Sequence, residues 1–240
     1  MEPITIEQML RTIPAQDIKR LVYAPYDLNV AVKAFRVLGE KRIRRFDIDK
    51  DNRFVIENLI RWAHGDSTMK AIDCNTGDII QGDTSRGIYI AGPTGTGKSL
   101  LFEVLSSYLT IDDVKAVFGN NIRMLAFPYY TTSRVCRIYE ERGELFHFID
   151  CPVICFQDLG SESEQRETMF MGTRTKVMQT IIQERSDARG NITFFSSNNS
   201  ITDSDTLELY GDRIVSRLKK MCNYFELKGK DRRTNDVKGI

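Results

Sequence analysis

The stretch Gly92-Pro93-Thr94-Gly95-Thr96-Gly97-Lys98-Ser99 constrains this chain more than any other. It satisfies G-x-x-x-x-G-K-[ST], directly after the short apolar run Ile88–Ala91 and at the start of a helical pattern over Lys98–Leu109. Glycines there let the backbone bend so that its N–H groups face an anion, and the helix N-terminus adds a favourable dipole. In such a loop Lys98 reaches the β- and γ-phosphates of ATP, and Ser99 binds magnesium.

From Gly87 onward, short apolar runs alternate with longer helical ones. Strands are expected at Ile88–Ala91, Arg123–Phe127, Pro152–Phe156, Ile192–Ser196 and Asn223–Leu227. Helices are expected at Lys98–Leu109, Arg134–Gly143, Arg174–Arg189 and Arg213–Lys219. Alternation of this kind gives an α/β fold with a mostly parallel sheet between helices. The first third reads differently. Thr5 caps a helix over Ile6–Ile13 that Pro14 stops, Asp27 caps Leu28–Leu38, and Asp51 or Asn52 starts a third helix ending at Gly65. The polar, turn-rich segment up to Gly87 reads as a boundary. The expected organisation is a helical N-terminal region over 1–65, a linker over 66–86 and the phosphate-loop core over 87–240.

A length of 240 residues suits one full domain with a smaller one. Net charge is +1, so the total does not mark a strongly basic nucleic-acid binder. The five cysteines form no C-x-x-C pair, which argues against zinc. The odd cysteine count and the lack of a signal peptide point to a reducing, cytoplasmic setting. No apolar run is long enough for a membrane-crossing helix.

A second chemical signal is Pro152-Val153-Ile154-Cys155-Phe156-Gln157-Asp158-Leu159-Gly160. Phosphate-loop ATPases end an apolar strand with an Asp that holds magnesium, often followed by a second acid. Here Gln157 takes the first position and Asp158 the second, with Glu162 four residues on. An amide carries no charge to draw a hydrated cation. Asn198 follows the strand Ile192–Ser196, where a polar tip can touch the γ-phosphate or attacking water, though Ser-Asn clusters also make ordinary turns. Arg213 and Arg217 are four apart and share a helix face. In a ring-forming ATPase such an arginine can reach a neighbour's phosphate; otherwise the pair is a solvated basic face beside Lys219 and Lys220. Tyr129, Tyr130, Arg134 and Arg137 combine rings with cations. That suits single-stranded DNA, or else core packing with solvated arginines.

Gly92–Ser99, the Gln157-Asp158-Leu159-Gly160 strand end, Ser197-Asn198 and Tyr210-Gly211-Asp212-Arg213-Ile214-Val215-Ser216-Arg217-Leu218 together resemble the DnaC/IstB-type AAA+ ATPases, most closely the DnaC-like helicase loaders. The likeness runs from about Gly82 to the C-terminus. It implies an AAA+ core without a separate helical lid. Lys98 and Ser99 correspond to the Walker A lysine and hydroxyl, Asp158 to the second Walker B acid, and Asn198 to sensor 1. Arg217 takes the arginine-finger position with Arg213 the lesser candidate, and Arg233 corresponds to a sensor-like arginine near the C-terminus. Ile181–Arg185 resembles the helix before sensor 1, without giving Arg185 a role.

The resemblance implies ATP and Mg2+ as cofactors and self-association into a ring, spiral or filament. A replicative helicase is the implied partner, bound through residues 1–65, and single-stranded DNA is a further ligand. A transposition helper of the IstB kind and a non-hydrolysing ATP-binding scaffold are the alternatives. Gln157 departs from the family's Asp. Hydrolysis is then slow, or Asp158 takes over the metal role, or the residue is a substitution that traps a bound state. The first reading expects Gln157→Asp to speed hydrolysis by roughly tenfold.

Overall fold

The computed structural model describes residues 18–20, 25–111, 115–118, 121–161, 167–188 and 190–232. The helix expected over Ile6–Ile13 lies outside them. After strand β1 (Ile18–Arg20) come helices α1 (Leu28–Glu40) and α2 (Arg53–Ala63). Asp27 caps α1, its Oδ1 accepting from Asn29 N and Val30 N at 2.7 and 3.0 Å. Asn52 precedes α2 but closes the turn before it instead, donating to Asp47 O and accepting from Asp49 N. Next is a hairpin, β2 (Lys70–Ile72) and β3 (Ile79–Gln81). Its turn is held by the Asp73 carboxylate, which accepts from Asn75 N and Thr76 N.

Then follow β4 (Gly87–Ala91), α3 (Lys98–Ile111), the antiparallel pair β5 (Lys115–Phe118) and β6 (Asn121–Met124), β7 (Tyr129–Thr131) and α4 (Thr132–Arg142). A single turn α5 (Phe146–Ile149) leads into β8 (Val153–Leu159), and a hairpin of β9 (Thr168–Phe170) and β10 (Thr173–Thr175) into α6 (Val177–Asp187). The described chain closes with β11 (Ile192–Ser197), α7 (Ser204–Met221) and β12 (Cys222–Glu226).

The seven-stranded sheet runs β3-β2-β12-β4-β11-β8-β7. Its five strands from β12 to β7 are parallel, and β2 and β3 add to one edge antiparallel. Because side chains alternate along a strand, the sheet offers two apolar faces. Ile88, Ile90, Val153, Cys155, Phe194 and Phe225 pack against α1, α2 and α3. Tyr89, Ile154, Phe156, Phe195 and Tyr224 pack against α4, α6 and α7. Trp62 is fully buried in the first face, edge-on to Phe194, and donates through Nε1 to Arg86 O at 2.7 Å.

The structure departs from the sequence reading at several elements. The second core strand is Tyr129–Thr131, not Arg123–Phe127, whose first residues pair instead in a small separate sheet with β5 and β1. Residues 66–86 are no linker, since they carry β2 and β3 of the main sheet. Nor do α1 and α2 stand apart: Phe35, Leu59 and Trp62 share one continuous core with Phe102 of α3 and Phe194 of β11. Two short amphipathic helices cannot bury their apolar faces alone, so they use the sheet. Arg174 and Thr175, expected at the start of a helix, belong to strand β10, and Gly211 breaks α7 with φ 76°. No helix among the described residues is long and apolar enough to cross a membrane.

Candidate functional site

The loop from Gly92 to Ser99 joins the C-terminal end of β4 to the first turn of α3. Gly92, Gly95 and Gly97 all take positive φ, at 152°, 81° and 96°. At Gly92 a side chain would also collide with Leu227 O, 2.2 Å from a Cβ. Lys98 is buried, and its Nζ donates to Gly92 O, Pro93 O and Asn198 Oδ1 at 2.7, 2.9 and 2.9 Å. Asn198 thus meets the loop lysine from the end of β11, the strand between β4 and β8. Thr96 Oγ1 donates to Pro93 O at 2.8 Å and ties the loop's middle.

The end of β8 is irregular. Phe156 pairs with Phe195 and Leu159 with Ser197, so Gln157 and Asp158 both stand opposite Ser196. This is a β-bulge, the device by which strands re-aim a side chain. Asp158 takes φ 58°, an uncommon conformation for a residue with a Cβ. Its N–H donates to Ser196 Oγ at 3.1 Å, and its Oδ1 accepts from Ser99 Oγ at 3.5 Å. Thr132 Oγ1 donates to Asp158 O at 3.0 Å, and Ser197 Oγ to Leu159 O at 2.7 Å. Gln157 is buried against α3, its Nε2 donating to Ser99 O and to Glu103 Oε1, each at 3.4 Å. The other Glu103 oxygen accepts from Arg42 Nη1 at 3.0 Å.

A cavity of about 570 Å³ opens beside the loop, lined among others by Thr94–Ser99, Asp158 and Asn198. Its far wall is Ile43, Phe46, Asp47 and Asn52, from the segment joining α1 to α2. Arg232 completes it. Its N–H donates to Gly95 O at 2.9 Å, and its guanidinium pairs with the Asp49 carboxylate at 2.9 Å. That pairing holds the Asp49 carboxyl below its usual range. Arg233, the sequence candidate near the C-terminus, lies outside the described residues, as does Glu162. Arg232 is the immediate neighbour of the Arg233 candidate, in the same short tail. The wall residues escaped the sequence reading because they come from a distant segment with no spacing rule.

Arg213 and Arg217 do not line this cavity. Arg213 is exposed on α7, and Arg217 Nη2 donates to Asp187 Oδ2 of α6 at 3.0 Å. Tyr130, Arg134 and Arg137 line a separate cavity of about 830 Å³ beside edge strand β7, with Arg134 5.7 Å from the Tyr130 ring centre. Tyr130 also packs edge-on against Phe148. The Cys155 thiol is fully buried, and burial pushes its pKa up, so it behaves as packing.

No protein-family model matches the chain, and no curated protein does. Solved structures do. A protein described as a primosome component of Streptococcus pyogenes serotype M3 is similar at 17% identity and TM-score 0.53, covering 79% of this chain and 87% of its own. The DnaC helicase loader is similar at 16% identity and TM-score 0.52, covering 78% and 95%. Domain III of the Thermotoga maritima replication initiation protein DnaA follows at 15% and 0.50, covering 79% and 67%. At these identities the likeness is one of fold: a mostly parallel sheet between helices shared with these replication proteins.

Proposed function

We propose that this chain is a magnesium-dependent ATPase that acts in the cytoplasm as an ATP-controlled loader of a replicative helicase. The observation that carries the ATP site is the convergence of Lys98, Ser99, Asn198 and Asp158 on one cavity at the C-terminal ends of β4, β11 and β8. Parallel sheets bind ligands at that end. The residues fit a nucleoside triphosphate. Three positive-φ glycines precede α3, a buried ammonium lies at the loop, and a hydroxyl faces a carboxylate. Lys98 would neutralise the β- and γ-phosphates, Ser99 would ligate magnesium, and Asn198 would orient groups at the γ-phosphate. When bound, the metal supplies charge stabilisation for phosphoryl transfer to water.

The loader role rests on the AAA+ fold together with the sequence resemblance. Arg217, and Arg213 as second candidate, would act across a self-associated ring, spiral or filament. Single-stranded DNA would run past Tyr130, Arg134 and Arg137, where a ring and cations line one groove.

The test is a capture experiment on the intact chain with ATP. The wild type should retain a hexameric helicase, and Lys98→Ala should lose most ATP affinity by calorimetry and the nucleotide dependence of capture. Retention of a transposase instead would favour the transposition helper. Unchanged ATP affinity in Lys98→Ala would reject the site.

A further inference from the structure

Gln157 occupies the strand position at which phosphate-loop ATPases carry a metal-ordering Asp, and its geometry explains the amide. Ser99 and Glu103 are four apart on α3, hence on one helix face, and Gln157 packs against both. Its Nε2 can donate to the Glu103 carboxylate. An aspartate there would set a second carboxylate across the same part-buried gap, and like charges at such range oppose ionisation. Arg42 already engages the other Glu103 oxygen and also donates to Ser107 Oγ at 2.8 Å. Gln157 therefore sits in a polar chain that ties the segment after α1 to the first turns of α3.

The carboxylate has not been lost from the site; it has moved along the strand. A regular strand would point Asp158 to the face opposite Gln157. The bulge opposite Ser196 and the left-handed φ of 58° turn it back instead, to 3.5 Å from Ser99 Oγ. A non-glycine residue in this conformation is strained and persists where its surroundings impose it. Here Ser196 Oγ accepts the Asp158 N–H, and Thr132 Oγ1 donates to the Asp158 carbonyl.

Resting on the ATP-site reading above, we propose that Asp158, delivered by this bulge, is the carboxylate that orders magnesium beside Ser99, and that Gln157 is a structural strut to Glu103. Placing an aspartate at 157 then brings no gain, contrary to the first of the three sequence readings and in line with the second.

The test reads metal-dependent binding, not turnover alone. Affinity for a non-hydrolysable ATP analogue is measured by calorimetry with magnesium and with chelator. Asp158→Asn should lose about tenfold or more of the magnesium-dependent gain, with affinity in chelator within twofold of wild type. Asp158→Gly, which suits the positive φ, should behave alike and guards against misfolding. Gln157→Ala should keep the gain within twofold, and Gln157→Asp should raise neither the gain nor phosphate release. A full magnesium gain in Asp158→Gly, or a tenfold rise in both readouts for Gln157→Asp, overturns the inference. Wild type that binds the analogue in neither condition rejects the ATP-site reading itself.

Discussion

Arg185 shows what single residues do in this fold away from the Gly92–Ser99 loop. Its guanidinium is buried and donates to Thr193 Oγ1 and to the carbonyls of Phe148, Ile149, Cys151 and Ile192, at 2.7–2.9 Å. It thus ties α6 to the end of α5 and the starts of β8 and β11. Burial lowers its pKa to about 10, so it remains charged at neutral pH. Arg185→Met fills similar space but supplies no donors. Carbonyls left unsatisfied in the interior cost about 1–3 kcal/mol each before relaxation. A loss of about 3 kcal/mol or more is expected from urea denaturation midpoints, while Arg185→Lys should retain part of it. A loss below about 1 kcal/mol would mean water or other donors serve these carbonyls. Nothing in the sequence marks this role, because Arg185 looks like any helical arginine until its helix docks. Lys98, Ser99 and Asn198 are the opposite case. Their positions relative to loop and strand ends are set by local chain geometry, so a linear pattern locates them. Asp158 lies between: the residue is legible, but the bulge that aims it is not.

Elements were legible where periodicity runs long. The alternation after Gly87 gives strands β4, β8, β11 and β12 and the helices between them, since a fully buried parallel strand reads as an apolar run. The hairpin β2–β3 was missed because each strand has three residues and the turn at Asp73–Gly77 dominates its composition. Strand β7 was missed because edge position leaves Tyr129 and Thr131 exposed, hiding any apolar run. Helix α7 carries the element-scale prediction. Its second half, after the break at Gly211, buries Ile214, Val215 and Leu218, leaves Arg213 exposed and half-buries Arg217. Among the described residues Arg217 makes one ion pair, with half-exposed Asp187, a contact worth about 1 kcal/mol or less. If copies associate as proposed, that pair can be exchanged for a stronger phosphate contact on a neighbouring copy. Arg217→Ala should keep ATP affinity within about twofold and fold stability within about 1 kcal/mol, yet lose any turnover that rises with protein concentration. Full concentration-dependent turnover in that variant would remove Arg217 from the assembly.

At the scale of the whole molecule, the sequence suggests two separable parts, a partner-binding region over 1–65 and an ATPase core. The structure joins them. Phe35, Val55, Leu59 and Trp62 are buried with Ile90, Phe102 and Phe194, and Ile43, Phe46, Asp47 and Asn52 wall the cavity beside the Gly92–Ser99 loop. Removing one large core side chain costs about 2–5 kcal/mol, and a domain has only about 5–15 kcal/mol in total. Deleting residues 1–65 should therefore abolish folding and ATP binding together, seen as loss of a cooperative melt and of calorimetric nucleotide affinity. Partner capture has to be separated from folding by surface changes instead. Val30 and Val37 are seven apart on α1, hence on one face, and are 62% and 51% exposed. Val30→Asp with Val37→Asp removes little buried area, so the melt and ATP affinity should stay near wild type. If α1 presents the helicase-binding face, capture should fall by about tenfold, the effect of roughly 1.4 kcal/mol. A deleted chain that still melts cooperatively and binds ATP would show that the core closes without α1 and α2. Undiminished capture by the double variant would move the partner's docking face off this helix.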